Sequence, residues 1–154
     1  MSKKKKFIII VLVAFVLIQF IRPSRNIGNQ ETENTIFVTN KVGKILQTSC
    51  YDCHSNYTNY PWYTNIQPVG WWLQHHVNEG KDELNFSEFE SYSLKRKLKK
   101  LKEIKEQLEE DEMPLSSYAL IHGETKLSQE QKVILTNWVD ETRAYLSDST
   151  HSAK

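Results

Sequence analysis

Cys50-Tyr51-Asp52-Cys53-His54 is the most informative segment of this 154-residue chain, and it contains both of the chain's cysteines. Residues three apart lie on one face of a helical turn, so the spacing predicts that the two thiols point the same way. The C-x-x-C-H order is the attachment signature of c-type haem. The pattern therefore predicts one covalent haem c, held by thioethers from Cys50 and Cys53, with His54 as the proximal iron ligand.

Three other uses of paired cysteines remain open at this point. A thioredoxin-type C-x-x-C would sit beside a βαβ pattern, and the sequence shows none. A structural zinc site needs four ligands, and His75, His76 or His122 could complete a set with the segment 50–54. A disulfide between the two cysteines is the third alternative.

The sixth iron ligand is predicted to be Met113, which precedes Pro114 in a loop between two amphipathic segments. A thioether ligand raises the haem potential, and the adjacent proline would hold the loop that presents the sulfur. Methionine more often fills core space, but Met1 is the only other methionine of the chain. His75, His76 and His122 are the rival ligands, and an open distal site is the remaining alternative.

The chain resembles the membrane-anchored haem-binding domain family common in Bacteroidetes, over roughly residues 38–145. Many family members carry Pro-Glu-Ala after the histidine that corresponds to His122, whereas this chain has Gly123-Glu124-Thr125. The resemblance implies haem binding and, through Met113, electron transfer. It is carried by these segments: Cys50 to His54, Tyr60-Pro61-Trp62-Tyr63, Leu84-Asn85-Phe86-Ser87, Met113-Pro114-Leu115, Tyr118, His122, Leu127-Ser128 and Trp138.

The N-terminus has the pattern of a membrane address. Four lysines, at positions 3–6, precede an apolar run over 7–21 that only Gln19 interrupts. As a helix this run is about 22 Å long, against about 30 Å for a bilayer core, and flanking Lys and Arg could cover the shortfall by snorkelling. Residues 1–22 are therefore predicted to be a signal anchor or transmembrane helix, and the lysines place the remaining chain outside the cytoplasm.

The predicted architecture is an all-α, cytochrome c-like haem domain behind this anchor. A polar stretch, 23–36, is predicted to be a tether, residues 37–148 the haem domain, and residues 149–154 a disordered tail. Within the domain we predict helices over about 38–49 and 69–78, the latter stopped near Gly80. A third helix starts at Ser87, Ser91 or Ser93 and ends near Met113, because Pro114 cannot continue it. A final helix opens at Leu127-Ser128, with Gln131 completing a capping box.

Aromatic residues crowd the segment 51–72, and most are expected to pack the core. Trp62 and Tyr63 are the two predicted to wall the haem and keep its pocket dry. The net charge of +1 gives no whole-chain sign of a nucleic-acid partner. Acidic residues cluster at 106–112, beside Met113, and we expect them to dock a basic redox protein.

The function that these features predict is one-electron transfer at the bacterial cytoplasmic membrane, with the haem domain facing the periplasm. An electron carrier makes and breaks no substrate bond, so we do not expect an enzyme. The alternative is a haem-based enzyme or sensor whose open or exchangeable distal site binds peroxide or a diatomic gas.

Overall fold

The computed structural model describes residues 2–151, and the predicted all-α class is confirmed for them. An isolated antiparallel bridge joins Ile27 to Tyr57, and residues 2–151 contain no strand. Three short 3-10 helices cover Trp62–Asn65, Phe86–Ser91 and Gly123–Thr125. The α-helices are α1 (Lys3–Ile18), α2 (Asn40–Ser49), α3 (Tyr51–His54), α4 (Val69–Glu83), α5 (Leu94–Glu109), α6 (Ser116–Ile121) and α7 (Gln129–His151).

The predicted capping box of the last helix is confirmed. The Ser128 Oγ accepts from the Gln131 N–H at 3.2 Å, and the Gln131 Oε1 accepts from the Ser128 N–H at 2.8 Å. This exchange satisfies two donors that a helix start otherwise leaves without partners. Helix α7 can therefore begin at Gln129, immediately after a loop.

Two predicted helix ends differ from the structure. Helix α4 continues through Gly80 to Glu83, and Gly80 marks a close contact with α3 and not the end of the helix, as described below. Helix α5 begins after its cap Ser93 and ends at Glu109, before the predicted end near Met113. Asp111 adopts a left-handed backbone with φ of 58°, which turns the chain out of the helix ahead of Pro114.

The core lies where α5 packs on α7 and α2 packs on both α3 and α7, while α3 also packs on α4. Phe86 and Phe89 enter this core from the 3-10 helix that precedes α5. Burial of such side chains is the main favourable term in folding. The largest fully buried apolar side chains are those of Leu46, Phe86, Phe89, Leu101, Leu135, Val77 and Val139.

The N-terminal helix differs from the anchor predicted over 1–22. Helix α1 has 16 residues, Lys3–Ile18, and begins at an N-cap formed by Ser2. Its apolar side chains are exposed on every side, and Phe7 has 67% of its surface accessible. Within residues 2–151, no helix is both long enough and apolar enough to cross a membrane.

The segment 23–36 lies on the domain, although its polar composition predicts a tether. The Asn26 Nδ2 donates to the Ser55 carbonyl at 2.9 Å, and the Ile36 N–H donates to the Phe86 carbonyl at 2.9 Å. These hydrogen bonds to neighbouring segments of the domain hold the segment 23–36 in place. At the other end, α7 extends to His151, so part of the predicted tail, 152–154, lies outside the described residues.

Candidate functional site

One cavity of about 380 Å³ collects most of the residues on which the predicted chemistry depends. Cys50 and His54, from the C-x-x-C-H turn, and Met113, from the loop after α5, all line it, whereas Cys53 does not. A volume of this size falls within the range of about 300–1,000 Å³ that is usual for cofactor and ligand sites. Most of the remaining wall is apolar: Leu46, Leu84, Phe86, Ile104, Leu108, Pro114, Leu127 and Leu135.

Helix α3 is the single turn that carries the C-x-x-C-H segment. The Cys53 and His54 N–H groups both donate to the Cys50 carbonyl, at 3.2 and 3.0 Å. The loop after α3 holds this turn in place, since the Thr58 Oγ1 donates to the Asp52 carbonyl at 2.6 Å. The Tyr118 hydroxyl from α6 donates to the Asp52 carboxylate at 2.8 Å, so the turn is also fixed from the opposite side.

The His54 imidazole is oriented by the backbone of the segment that follows α4. Its Nδ1 lies 3.0 Å from the Leu84 carbonyl oxygen, so this nitrogen carries the proton and donates. Burial lowers the pKa of His54, while the bond to the Leu84 carbonyl opposes this shift. In a neutral ring bonded in this way the lone pair of Nε2 is free to bind a metal, which is the arrangement that metal-bound histidines adopt.

The two thiols are free and protonated in this fold. Burial, together with the neighbouring Cys53, raises the pKa of the Cys50 thiol to about 12. Burial and the Asp52 carboxylate raise the pKa of Cys53 to about 11. Since the thiolate is the form that exchanges disulfides, these raised pKa values slow thiol–disulfide exchange at neutral pH.

These raised pKa values predict slow alkylation of the folded, haem-free chain. At pH 8.5 an ordinary thiol is about half ionised, whereas both thiols here stay almost wholly protonated. We expect iodoacetamide to label the folded chain on the order of a hundredfold more slowly than the same chain unfolded in urea. The measurement is the time course of the mass shift, and equal rates in the two states would contradict the burial of the thiols.

Met113 lies in the loop between α5 and α6, far along the chain from the C-x-x-C-H turn. It is half-buried, and both it and Pro114 line the cavity. Leu108, on the last turn of α5, is buried beside this loop and lines the same space. The loop therefore places Met113 on the wall of the cavity that His54 also lines.

A charged cluster forms one polar edge of the cavity. Lys100, only 8% exposed, lies 2.9 Å from the Glu83 carboxylate and 2.8 Å from that of Glu103. Burial opposes ionisation, but the bonds to Glu103 and Glu83 raise the pKa of Lys100, which therefore stays cationic. All three residues line the cavity, so a charged group already faces it at this edge.

Gly80 supports the site from behind, and our sequence analysis missed this role. A Cβ placed at Gly80 would lie 3.0 Å from the Cys53 carbonyl oxygen and 3.1 Å from the Cys53 Cβ. Only a glycine lets α4 approach the C-x-x-C-H turn this closely. The available signal was a glycine inside an otherwise helical pattern, which typically marks either a helix end or a close contact.

Trp62 and Tyr63 lie outside the cavity that they were predicted to wall. Trp62 is 76% exposed, on the short 3-10 helix after the C-x-x-C-H loop. The Tyr63 hydroxyl lies 2.6 Å from the His122 Nε2, and the His122 ring stacks on Tyr118 with centroids 4.4 Å apart. These residues form a separate aromatic cluster that supports the Asp52 contact.

The histidines predicted as rival ligands do not line the cavity either. His122 has its second ring nitrogen 3.3 Å from the Glu124 carboxylate. His75 faces Glu79 on the exposed side of α4, and His76 packs on Trp72 with centroids 4.5 Å apart. Over the described part of the chain, no group of three His, Cys, Asp or Glu side chains is arranged to hold a metal ion.

Comparison with known proteins gives one match. A family model described as a haem-binding domain matches residues 13–141, which covers α2 to α6 and most of α7. No curated protein and no solved structure matches the chain. The matched range includes all the cavity-lining residues named above.

Proposed function

The chain belongs to the haem-binding domain family, and from this premise we propose that it is a membrane-attached c-type cytochrome that transfers single electrons. The observation that carries the proposal is the shared cavity: Cys50, His54 and Met113 line one apolar space. The two thiols and the His54 imidazole supply the donors that c-type attachment requires on one helical turn.

The cavity fits a haem by the chemistry of its wall. It is lined mainly by apolar side chains, as the porphyrin faces require, and its polar edge is formed by Lys100 together with Glu83 and Glu103. When bound, the haem iron gains and loses one electron. Cys50 and Cys53 would each add across one vinyl group, forming a carbon–sulfur bond while the thiol proton goes to the other vinyl carbon.

His54 and Met113 are the proposed axial ligands. The Leu84 carbonyl accepts the Nδ1 proton of His54, which leaves Nε2 as the nitrogen that would hold the iron. Met113 is uncharged and needs no proton transfer when the iron changes its charge, and a thioether raises the potential. Two protein ligands in a largely apolar cavity also exclude water and exogenous ligands, which suits electron transfer.

The alternative is a haem enzyme or sensor with an exchangeable distal position. No histidine other than His54 lines the cavity among the described residues, so the structure offers no second imidazole there to assist peroxide chemistry. This placement favours the carrier, which we propose is not an enzyme.

Carbon monoxide separates the two functions. We expect the reduced wild-type protein to keep its spectrum when mixed with carbon monoxide, because Met113 occupies the distal position. Stopped-flow absorption in the Soret region measures this directly. Rapid carbon monoxide binding by the wild-type protein would contradict the carrier and favour the sensor or enzyme.

We further propose that residues 7–21 attach the chain to the cytoplasmic membrane and that the haem domain faces the periplasm. The exposed apolar surface of α1 supports attachment, since no side chain of this helix is buried against the domain. The four lysines at its start support the orientation. Fractionation of spheroplasts tests the attachment, because the protein should be found with the membranes. Protease added to intact spheroplasts tests the orientation, because it should digest the haem domain.

A basic redox protein is the partner that we propose for the acidic segment at the end of α5. Glu109, Glu110 and Glu112 are exposed, between the cavity-lining residues Leu108 and Met113. Reversing Glu109 and Glu110 to lysine should slow electron exchange with a basic cytochrome several-fold at low salt, and high salt should remove the difference. Stopped-flow kinetics at two salt concentrations measure this, and an unchanged low-salt rate would contradict the docking surface.

A further inference from the structure

A second cavity, of about 280 Å³, lies where the chain leaves α1 and meets the start of α4. It shares no lining residue with the candidate haem cavity. Its wall includes two arginines, three polar residues that precede α4 and a glycine of α4 itself: Arg22, Arg25, Tyr60, Thr64, Gln67 and Gly70. The function proposed above leaves this cavity without a role.

The two arginines are held in place by uncharged groups. The Arg22 guanidinium donates to the Gln19 carbonyl at 2.9 Å and to the Asn65 carbonyl at 2.8 Å. The Arg25 guanidinium donates to the Asn65 Oδ1 at 2.6 Å and lies 4.8 Å above the Tyr60 ring. In the described part of the chain neither arginine has a carboxylate within salt-bridge distance, so their charges remain uncompensated.

Gln67 brings a buried donor with no acceptor to the same cavity. Its side chain is 1% exposed, and its Oε1 accepts from the Trp71 N–H at 3.0 Å, which identifies the other amide atom as nitrogen. This Nε2 is buried and has no hydrogen-bond partner in the described part of the chain. Leaving such a donor unpaired is unfavourable, so an acceptor from outside the chain would be stabilised here.

Gly70 keeps the space beside this amide open. A Cβ at Gly70 would lie 2.2 Å from the Thr64 carbonyl oxygen and 2.9 Å from both the Nε2 and the Oε1 of Gln67, so only a glycine fits beside this amide. Gly70 is also in the first turn of α4, a helix of 15 residues, whose N-terminal end carries a positive partial charge. The guanidinium groups and the unpaired amide donor favour an anion with several oxygen acceptors.

We propose that this cavity binds the phosphate of an anionic phospholipid headgroup. Its position supplies the argument for a lipid, because Arg22 follows directly on the apolar segment 7–21, where a chain leaving the membrane meets the headgroups. Exposed apolar side chains flank the cavity, since Ile66 is 41% and Val69 is 40% accessible. The proposal rests on the membrane attachment proposed above, and it gives the domain a second contact with the same membrane.

Native mass spectrometry of the haem-loaded full chain tests the proposal. The protein is released from uncharged maltoside micelles that contain a trace of phosphatidylglycerol, and the fraction that retains one lipid is measured. Gln67→Glu replaces the unpaired donor by an oxygen and keeps the acceptor for Trp71. Arg22→Gln combined with Arg25→Gln removes both charges, and Arg96→Gln, an arginine that lies over Tyr92, is the matched control.

We expect wild type and Arg96→Gln to retain one phosphatidylglycerol, and the two pocket variants to lose it at least tenfold. Unchanged haem spectra and melting temperatures show that the variants fold. Equal retention by all four proteins would overturn the proposal. The proposal would also be overturned if millimolar inorganic phosphate displaced all of the bound lipid, because the site would then be one for free phosphate.

Flotation with phosphatidylcholine vesicles separates this proposal from membrane attachment. Loss of flotation by wild type, with lipid still retained in micelles, would overturn the attachment and leave the phosphate site standing. Normal flotation by wild type, with no lipid retained, would overturn the site and leave the attachment standing.

Discussion

Met113→Ala is expected to open the distal side of the haem and lower its potential. The variant loses the weak far-red absorption band of a methionine–iron bond, because no sulfur remains in the loop before Pro114. Since axial ligands set haem potentials over a range of about 0.8 V, we expect the midpoint potential to fall by about 0.1 V or more. Spectroelectrochemical titration of wild type and variant measures both effects.

His122→Ala is the control for this prediction. His122 is the rival ligand that contacts Tyr63 outside the cavity, so its replacement should keep the far-red band and the potential. The reduced Met113→Ala protein should also bind carbon monoxide rapidly, whereas the control should not. A band that survives in Met113→Ala, or disappears in His122→Ala, would contradict the assignment of Met113.

Gly80→Val is expected to have the largest effect on folding. The position of its Cβ is 3.0 Å from the Cys53 carbonyl oxygen, and the two added methyl groups must push α4 away from the attachment turn. Overpacking of this kind costs about 1–3 kcal/mol and occasionally more, and we expect about 3 kcal/mol here. The displaced turn should also lower the yield of attached haem, because Cys53 and His54 lie on it.

Gly123→Val provides the matched control, since a Cβ at Gly123 meets nothing within 4 Å. Urea unfolding of the haem-free chains gives the free energies, and haem staining of denaturing gels gives the attachment yield. A Gly80→Val protein as stable as the control would show that α4 can shift without cost, and that the glycine is not required.

The helices and the attachment turn could be predicted because their signals are local. The C-x-x-C-H spacing gives one helical turn, and Ser128 with Gln131 marks the start of α7 within four residues of sequence. Each of these depends on neighbouring residues and on hydrogen bonds that form between them. Met113 lies on the cavity wall, and its role as an iron ligand stays a prediction.

The features that the sequence did not reveal depend on contacts between distant segments. Gly80 resembles a helix stop until α4 is packed against Cys53, which is 27 positions away in the printed sequence. Trp62 looks like a core residue by its type, but its short 3-10 helix presents it to solvent. The segment 23–36 has the composition of a tether, yet its polar side chains donate hydrogen bonds to backbone carbonyls and hydroxyl groups of the domain.

The Leu84 carbonyl illustrates the same limit at the site itself. Any residue type at position 84 has a backbone carbonyl, so no sequence signal marks it as the group that fixes His54. Its role follows only from the path of the chain after α4, which places the oxygen 3.0 Å from the imidazole Nδ1.

The intact mass and ferric absorption spectrum of the purified full chain, produced with a cytochrome c maturation system, test the central claim most directly. We predict that the denatured chain keeps the mass of one haem and that the folded protein has a c-type spectrum with the far-red methionine–iron band. A chain whose haem is removed by acidified acetone, or which carries zinc or a disulfide in place of haem, would contradict the account.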